Sequence, residues 1–505
     1  DEDDDDNDGN GEWSGNFLNW ASMTRMDAVR KILYGGKREV DTASDTVLER
    51  AMLPHDAHSF AKYYNGSDIA KLTPFSVTTD QSGTTDTGIT ICNTTDGSGL
   101  SQDVTAPPLM KVAEGNFSLW ASNERWQCRW GVANNGNDPG STGIFANGSS
   151  PDRGDDGLGE ENYEVRVQTC VSGWIDEVNN EGCQAYGSSQ KPTGLLQTYG
   201  ENDAIHFGLL TGSYDRNKSG GVLRKNVGNI RDEINLANGT FVVPAAEDAG
   251  DFNGVISTLD KLRIYGYRFG NGTYHRGNHS PVDDGSDACV WGNSSFVDGH
   301  CSNWGNPQTE IFLESLRYLA GLQPTSDFLA DDSDRIEGLN TAVWEQPVTN
   351  DNFCAPLNVI QFNASTSSYD GDNLGGAVDL GYAGDSGVDA ATDFVGANEN
   401  IHGNRFFVGE ILGGTGSDTN QLCTAKTIDS LANVRGTCPD APRLEGSYEI
   451  AGLASLARTK GIPLTGVNQP KQTVRTYGVA LAPAVPSDDI PVPGSDGQTV
   501  NIQPA

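Results

Sequence analysis

Apolar residues recur at helical spacing in some stretches of the chain and gather into short runs in others. From Asn16 to Tyr34, the residues Phe17, Leu18, Ala21, Met26, Ala28, Val29, Ile32 and Leu33 cover about half of a helical wheel. Asn19, Thr24, Asp27, Arg30 and Lys31 lie opposite, so the pattern predicts one helix packed on a sheet and stopped by Gly35 and Gly36. Val47 to Leu53 and Ser59 to Tyr64 read as shorter helical pieces separated by Pro54, and Phe252 to Leu262 as a further helix. Asn306 to Gly321 carries the clearest helical signature. Asn306 is placed to cap it, Pro307 suits its first position, Phe312, Leu316 and Leu319 form the buried stripe, and Gly321 ends it. Ser447 starts a last helix bearing Ile450, Leu453 and Ala457, closed by Arg458, Lys460 and Gly461.

Strand signals fall between these helices. Tyr163 to Cys170 alternates Val165 and Val167 with Glu164, Arg166 and Gln168, and Ala204 to Thr211 is an apolar run leading into a turn-rich hairpin around Lys218 to Gly221. Leu357, Val359, Ile360 and Phe362 form an interior strand by composition, and Thr473 to Leu481 forms a last one. Alternation of helices and strands implies a doubly wound α/β sheet holding the 204–211, 357–363 and 473–481 strands together, with loop- and β-rich insertions at about 65–190, 270–300 and 376–445. The carboxyl end of the central strand offers Asn363, Ser365, Thr366, Ser367, Asp370 and Asp372, oxygen-bearing side chains suited to a hard cation or a polar partner.

Composition narrows the setting. The chain has 505 residues, 62 of them glycine, and a formal charge of -36, which excludes nucleic acid and anionic membrane as favoured partners. It shows neither a signal peptide pattern nor a run near the ~18 apolar residues of a membrane span. Its start at Asp1 reads as processed or trimmed. The cysteines avoid C-x-x-C spacing and suggest four local disulfides, Cys92 with Cys128, Cys170 with Cys183, Cys289 with Cys301 and Cys423 with Cys438. Cys354 is left over, and the compartment is expected to be oxidising and extracytoplasmic. Ten Asn-x-Ser/Thr triplets are possible glycan acceptors.

Two loops carry candidate chemistry. Residues 1–13 form an acidic arm in which Asp4, Asp6, Asp8 and Glu12, with a carbonyl at Asn10, follow the opening of a calcium loop around Gly9. Gly15 stands where such a loop has its bidentate Glu. Arg153, Gly154 and Asp155 form an R-G-D triplet in a glycine- and aspartate-rich loop. Signs of catalysis are slight: Gly384-Asp385-Ser386-Gly387 is most simply a turn, His275 with His279 lack the surroundings of a zinc site, and His55 with His58, flanking Asp56 after Pro54, suit a helix amino terminus and its cap equally well.

Longer blocks read together as a family. Residues 14–36, 46–54, 191–200, 207–227, 301–321, 354–372 and 472–486 resemble the amino-terminal half of the type IV pilus tip-associated adhesins, the PilC/PilY family. The resemblance implies a von Willebrand A-like domain over about 14–482, followed by a connecting segment at 483–505 toward a carboxyl-terminal domain that this sequence lacks. It further implies action in surface adhesion and pilus biogenesis at a pilus tip, outside the cell, with minor pilins and a surface receptor as partners. A purely structural cap on minor pilins and a secreted hydrolase are the rival readings. Domains of this kind often hold a divalent ion through a D-x-S-x-S turn, a Thr and an Asp. Here the turn is missing, the Thr position falls on Asn306 and the Asp position near Asn363, a poor donor set for a hard cation.

Overall fold

The computed structural model describes residues 13–54, 59–77, 88–95, 107–116, 158, 162–173, 182–242, 253–268, 273–274, 289, 297–438, 444–481, 490–493 and 499–502. The chain divides into two compact units, residues 1–207 with 228–275, and residues 208–227 with 276–505. Its helices and mostly small, antiparallel sheets make it α/β and loop-rich.

In the first unit the expected single helix is two, Gly15–Ser22 and Arg25–Tyr34. Thr24 causes the break. Its hydroxyl accepts from the Asp27 amide at 3.2 Å while the Asp27 carboxylate accepts from the Thr24 amide at 2.9 Å, a capping box that starts a new helix. Gly35 ends it at φ 92°, as the sequence implies. The segments read as helical at Val47 to Leu53 and Ser59 to Tyr64 are instead strands, Thr46–Glu49 and Ala61–Tyr64. Pairing decides this: Thr46–Glu49 lies between Arg38–Asp41 and Arg166–Gln168, and Ala61–Tyr64 borders a four-stranded antiparallel sheet completed by Ile89–Asn93, Leu109–Glu114 and Tyr163–Glu164. Within residues 65–190, Ile89, Ile91, Met110 and Val112 bury against Phe17, Leu18 and Ala21.

In the second unit the helix Gln308–Leu319 sits at the centre of the core, with Phe312, Leu313 and Leu316 fully buried. Leu357–Asn363 runs parallel to Val474–Ala480 along its whole length, from Leu357 opposite Val474 to Asn363 opposite Ala480. The strand Phe207–Thr211 does not join them; it pairs with Val222–Gly228 in a separate two-stranded sheet, so the expected single sheet is not formed among the described residues. The central strand is also less interior than its composition implies. Leu357 and Val359 pack toward the core, but Ile360 is 66% and its neighbour Tyr477 51% exposed. The region 376–445, read as loop, contains the helix Gly384–Asn398, opened by the Gly384–Gly387 segment, and the antiparallel pair Arg405–Val408 with Thr424–Thr427.

Among the described residues three disulfides close loops of similar size: Cys170–Cys183, Cys289–Cys301 and Cys423–Cys438. Cys92 is also disulfide-bonded, Cys128 lies outside the described residues, and Cys354 is free and exposed.

Candidate functional site

The carboxyl end of Leu357–Asn363 meets the start of Gln308–Leu319 through a chain of side-chain amides. Gln361 donates to the side-chain oxygen of Gln308, Gln308 donates to that of Asn306 at 2.6 Å, and Asn306 donates to that of Asn363 at 3.0 Å. Asn363 Oδ1 also accepts from the Ser365 amide at 3.1 Å, and Asn306 Nδ2 from its side donates to the Thr366 carbonyl at 3.0 Å. Asn306 is thereby drawn away from capping the helix, which has no side-chain cap. The resemblance brings Asn306 and Asn363 together correctly, yet they do not fit a divalent ion: Asn306 turns N–H groups toward Asn363, whose oxygen is already shared by two donors. Among the described residues no group of three or more His, Cys, Asp or Glu could hold a metal.

Behind this amide chain lies a layer of buried carboxyls. Asp370 accepts from the Thr309 hydroxyl at 2.8 Å and the Ser447 amide at 2.6 Å, which fastens the 363–373 loop to the starts of two helices. Glu310 is fully buried and accepts from the Gly220 amide. Burial, and then the neighbouring Asp372 carboxylate, push its pKa up to about 9, against the pull of the Gly220 amide. A proton on Glu310 relieves the repulsion from Asp372, while hydrogen bonds from the Gly220 amide and the Asn373 side chain favour the charged form. Glu449, at the start of Glu449–Thr459, repeats the arrangement beside Asp389. Burial pushes its pKa up to about 8 despite Arg435 at 3.0 Å. Gly371 lets the loop pass close to Glu449, because a Cβ there would lie 2.3 Å from Glu449 Oε2. The layer fixes the 363–373 loop against the starts of two helices. Sequence reasoning singled out Asp370 and Asp372 but missed Glu310 and Glu449, which look like ordinary surface acids in the first turn of a helix.

The other candidates separate. Ser386 donates its hydroxyl to the Ala383 carbonyl at 3.1 Å. The acidic arm with Asp4, Asp6, Asp8, Asn10 and Glu12, the triplet Arg153, Gly154 and Asp155, and the histidines His55, His58, His275 and His279 lie outside the described residues.

Residues 1–113 match the family model described as "PilY1 homolog, small alpha/beta domain", and residues 207–457 match "PilY1 homolog, second domain". A "Type IV pilus biogenesis factor PilY1 homolog" of Xylella fastidiosa (strain Temecula1 / ATCC 700964) is 32% identical over 528 residues, which covers 95% of this chain and 32% of that protein. A protein of the same description and strain is 51% identical over 43 residues, 8% of this chain and 4% of its own length. The chain thus spans about a third of the first of these relatives. No solved structure matches.

Proposed function

The chain belongs to the PilY1-like family, and from that premise we propose that it acts without catalysis in type IV pilus biogenesis and surface adhesion at the pilus tip. The observation that carries this reading is the identity extending over 95% of the chain to a relative described as a pilus biogenesis factor homolog. Disulfides support a place outside the cell, and no helix among the described residues is long and apolar enough to cross a membrane. A von Willebrand A-like second unit is part of the proposal. What supports it is the parallel strand pair packed on Gln308–Leu319 and Glu449–Thr459, with Asn306 and Asn363 meeting at its carboxyl end.

Contact with minor pilins and with a surface receptor follows from the same reading. The R-G-D triplet is the proposed receptor contact, and the acidic arm a proposed calcium loop. Attachment assays separate adhesion from a purely structural cap. Coating a surface with the purified chain, or adding it as a competitor, should alter attachment of piliated cells to their substrate; no effect at any concentration favours the cap. Equal binding of animal cells to the chain and to Asp155→Glu removes the triplet, and calcium uptake undiminished in Asp6→Ala with Asp8→Ala removes the loop.

A further inference from the structure

We propose that the cleft in the first unit between the two opening helices and the strands Thr46–Glu49 and Arg166–Gln168 is a binding site for a small carboxylate. The cleft encloses about 250 Å³ and is lined by Asn19, Asp27, Lys31, Glu49 and Arg50 among others. That is room for several waters, each filling about 30 Å³, or for a small organic acid.

Arg50 organises it. This side chain is only 6% exposed, and its guanidinium is held in place by Nε donating to Ser22 Oγ at 3.3 Å and Nη2 donating to Asn19 Oδ1. Both acceptors are neutral. Nη1 has no hydrogen-bond partner among the described residues, and Arg50 lines the cleft. A guanidinium offers five donors in one plane, and a planar carboxylate matches its free edge two bonds at a time.

The acids lining the cleft do not supply that anion. Asp27 already accepts from the amides of Thr24 at 2.9 Å and Ala51 at 2.8 Å and lies 3.9 Å from Arg30. Glu49 is 2.7 Å from Lys37 and 3.0 Å from Arg166. Lys31, exposed on the same lining, forms no ion pair among the described residues. This cleft of a chain of net charge -36 therefore holds two cations, Arg50 and Lys31, that form no ion pair among the described residues, Asp27 acting on Arg50 while its oxygens are engaged by two amides. Burial lowers the affinity of the Arg50 guanidinium for its proton, with Asp27 opposing, and a bound anion would restore it.

The carboxylate can come from a free acid or from a peptide. Titration calorimetry of the 505-residue chain at low salt, with acetate, succinate and a short acetylated peptide ending in a free carboxylate, tests this against sodium chloride. Uptake of at least one carboxylate and none of chloride is expected, weakened tenfold or more by Arg50→Gln and about threefold by Lys31→Glu. Lys31 is exposed, so its variant keeps the fold even where Arg50→Gln does not. Binding of the peptide alone assigns the site to a protein segment. No carboxylate uptake, or uptake unchanged in Lys31→Glu, overturns the proposal.

Discussion

Glu310 and Glu449 keep their protons at neutral pH in the folded chain. An unfolded chain releases them near the ordinary value of 4.5, whereas the folded one holds them to about 9 and about 8. Unfolding therefore releases protons between those limits, and stability is greatest below about pH 4.5 for these groups and is lost as pH rises through 8 to 9. Each proton contributes a slope of up to about 1.4 kcal/mol per pH unit. Glu310→Gln keeps the shape and a donor without the ionisation, so its melting temperature should fall less between pH 5 and pH 9 than that of the parent chain. Parallel melting curves for the two would show that Glu310 is ionised in the fold. Neither glutamate was legible as buried, because an acid in the first turn of a helix is ordinarily a solvated partner of the helix dipole. Asn306 and Asn363 were legible as neighbours only through the family resemblance; that they bond to each other is decided by rotamers the sequence does not encode.

At the scale of elements, long periodic stretches were readable and short ones were not. Gln308–Leu319 and Glu449–Thr459 follow from their apolar stripes and terminal glycines, and the two parallel strands from runs of apolar residues. Thr46–Glu49 and Ala61–Tyr64 were misread because a run of four residues fits either period, and the partners that settle it lie as far off as Arg166–Gln168. Gly384–Asn398 was hidden by its small residues: Val388, Thr392 and Gly396 are spaced four apart and buried, but only the first is a usual core residue. A backbone without bulk serves close helix packing here, since a Cβ on Gly452 would meet Thr392 Oγ1 at 2.3 Å. The break in the opening helix was present in the sequence as Thr24 and Asp27, three apart. Thr24→Ala should cost about 1 kcal/mol of stability, measured by urea denaturation, and Thr24→Ser close to nothing. Leu316→Ala, which opens a hole against a fully buried helix face, should cost about 2–5 kcal/mol.

For the molecule as a whole, cysteine spacing was legible in the sequence, because cysteines close along the chain need little of the fold to meet. The three described disulfides join cysteines 12 to 15 residues apart. Each should stabilise the chain by about 3 kcal/mol through restriction of the unfolded state. Reduction is therefore expected to lower the melting temperature by many degrees, and peptide mapping should recover free thiol at Cys354 before reduction. The central proposal is that this PilY1-like chain serves a type IV pilus. Its most direct measurement is the amount of pilin sheared from the surface of cells in which the gene is deleted, with and without restoration of the full-length protein. Loss of surface pili on deletion and recovery on restoration is the predicted result; unchanged piliation together with unchanged surface attachment would contradict it.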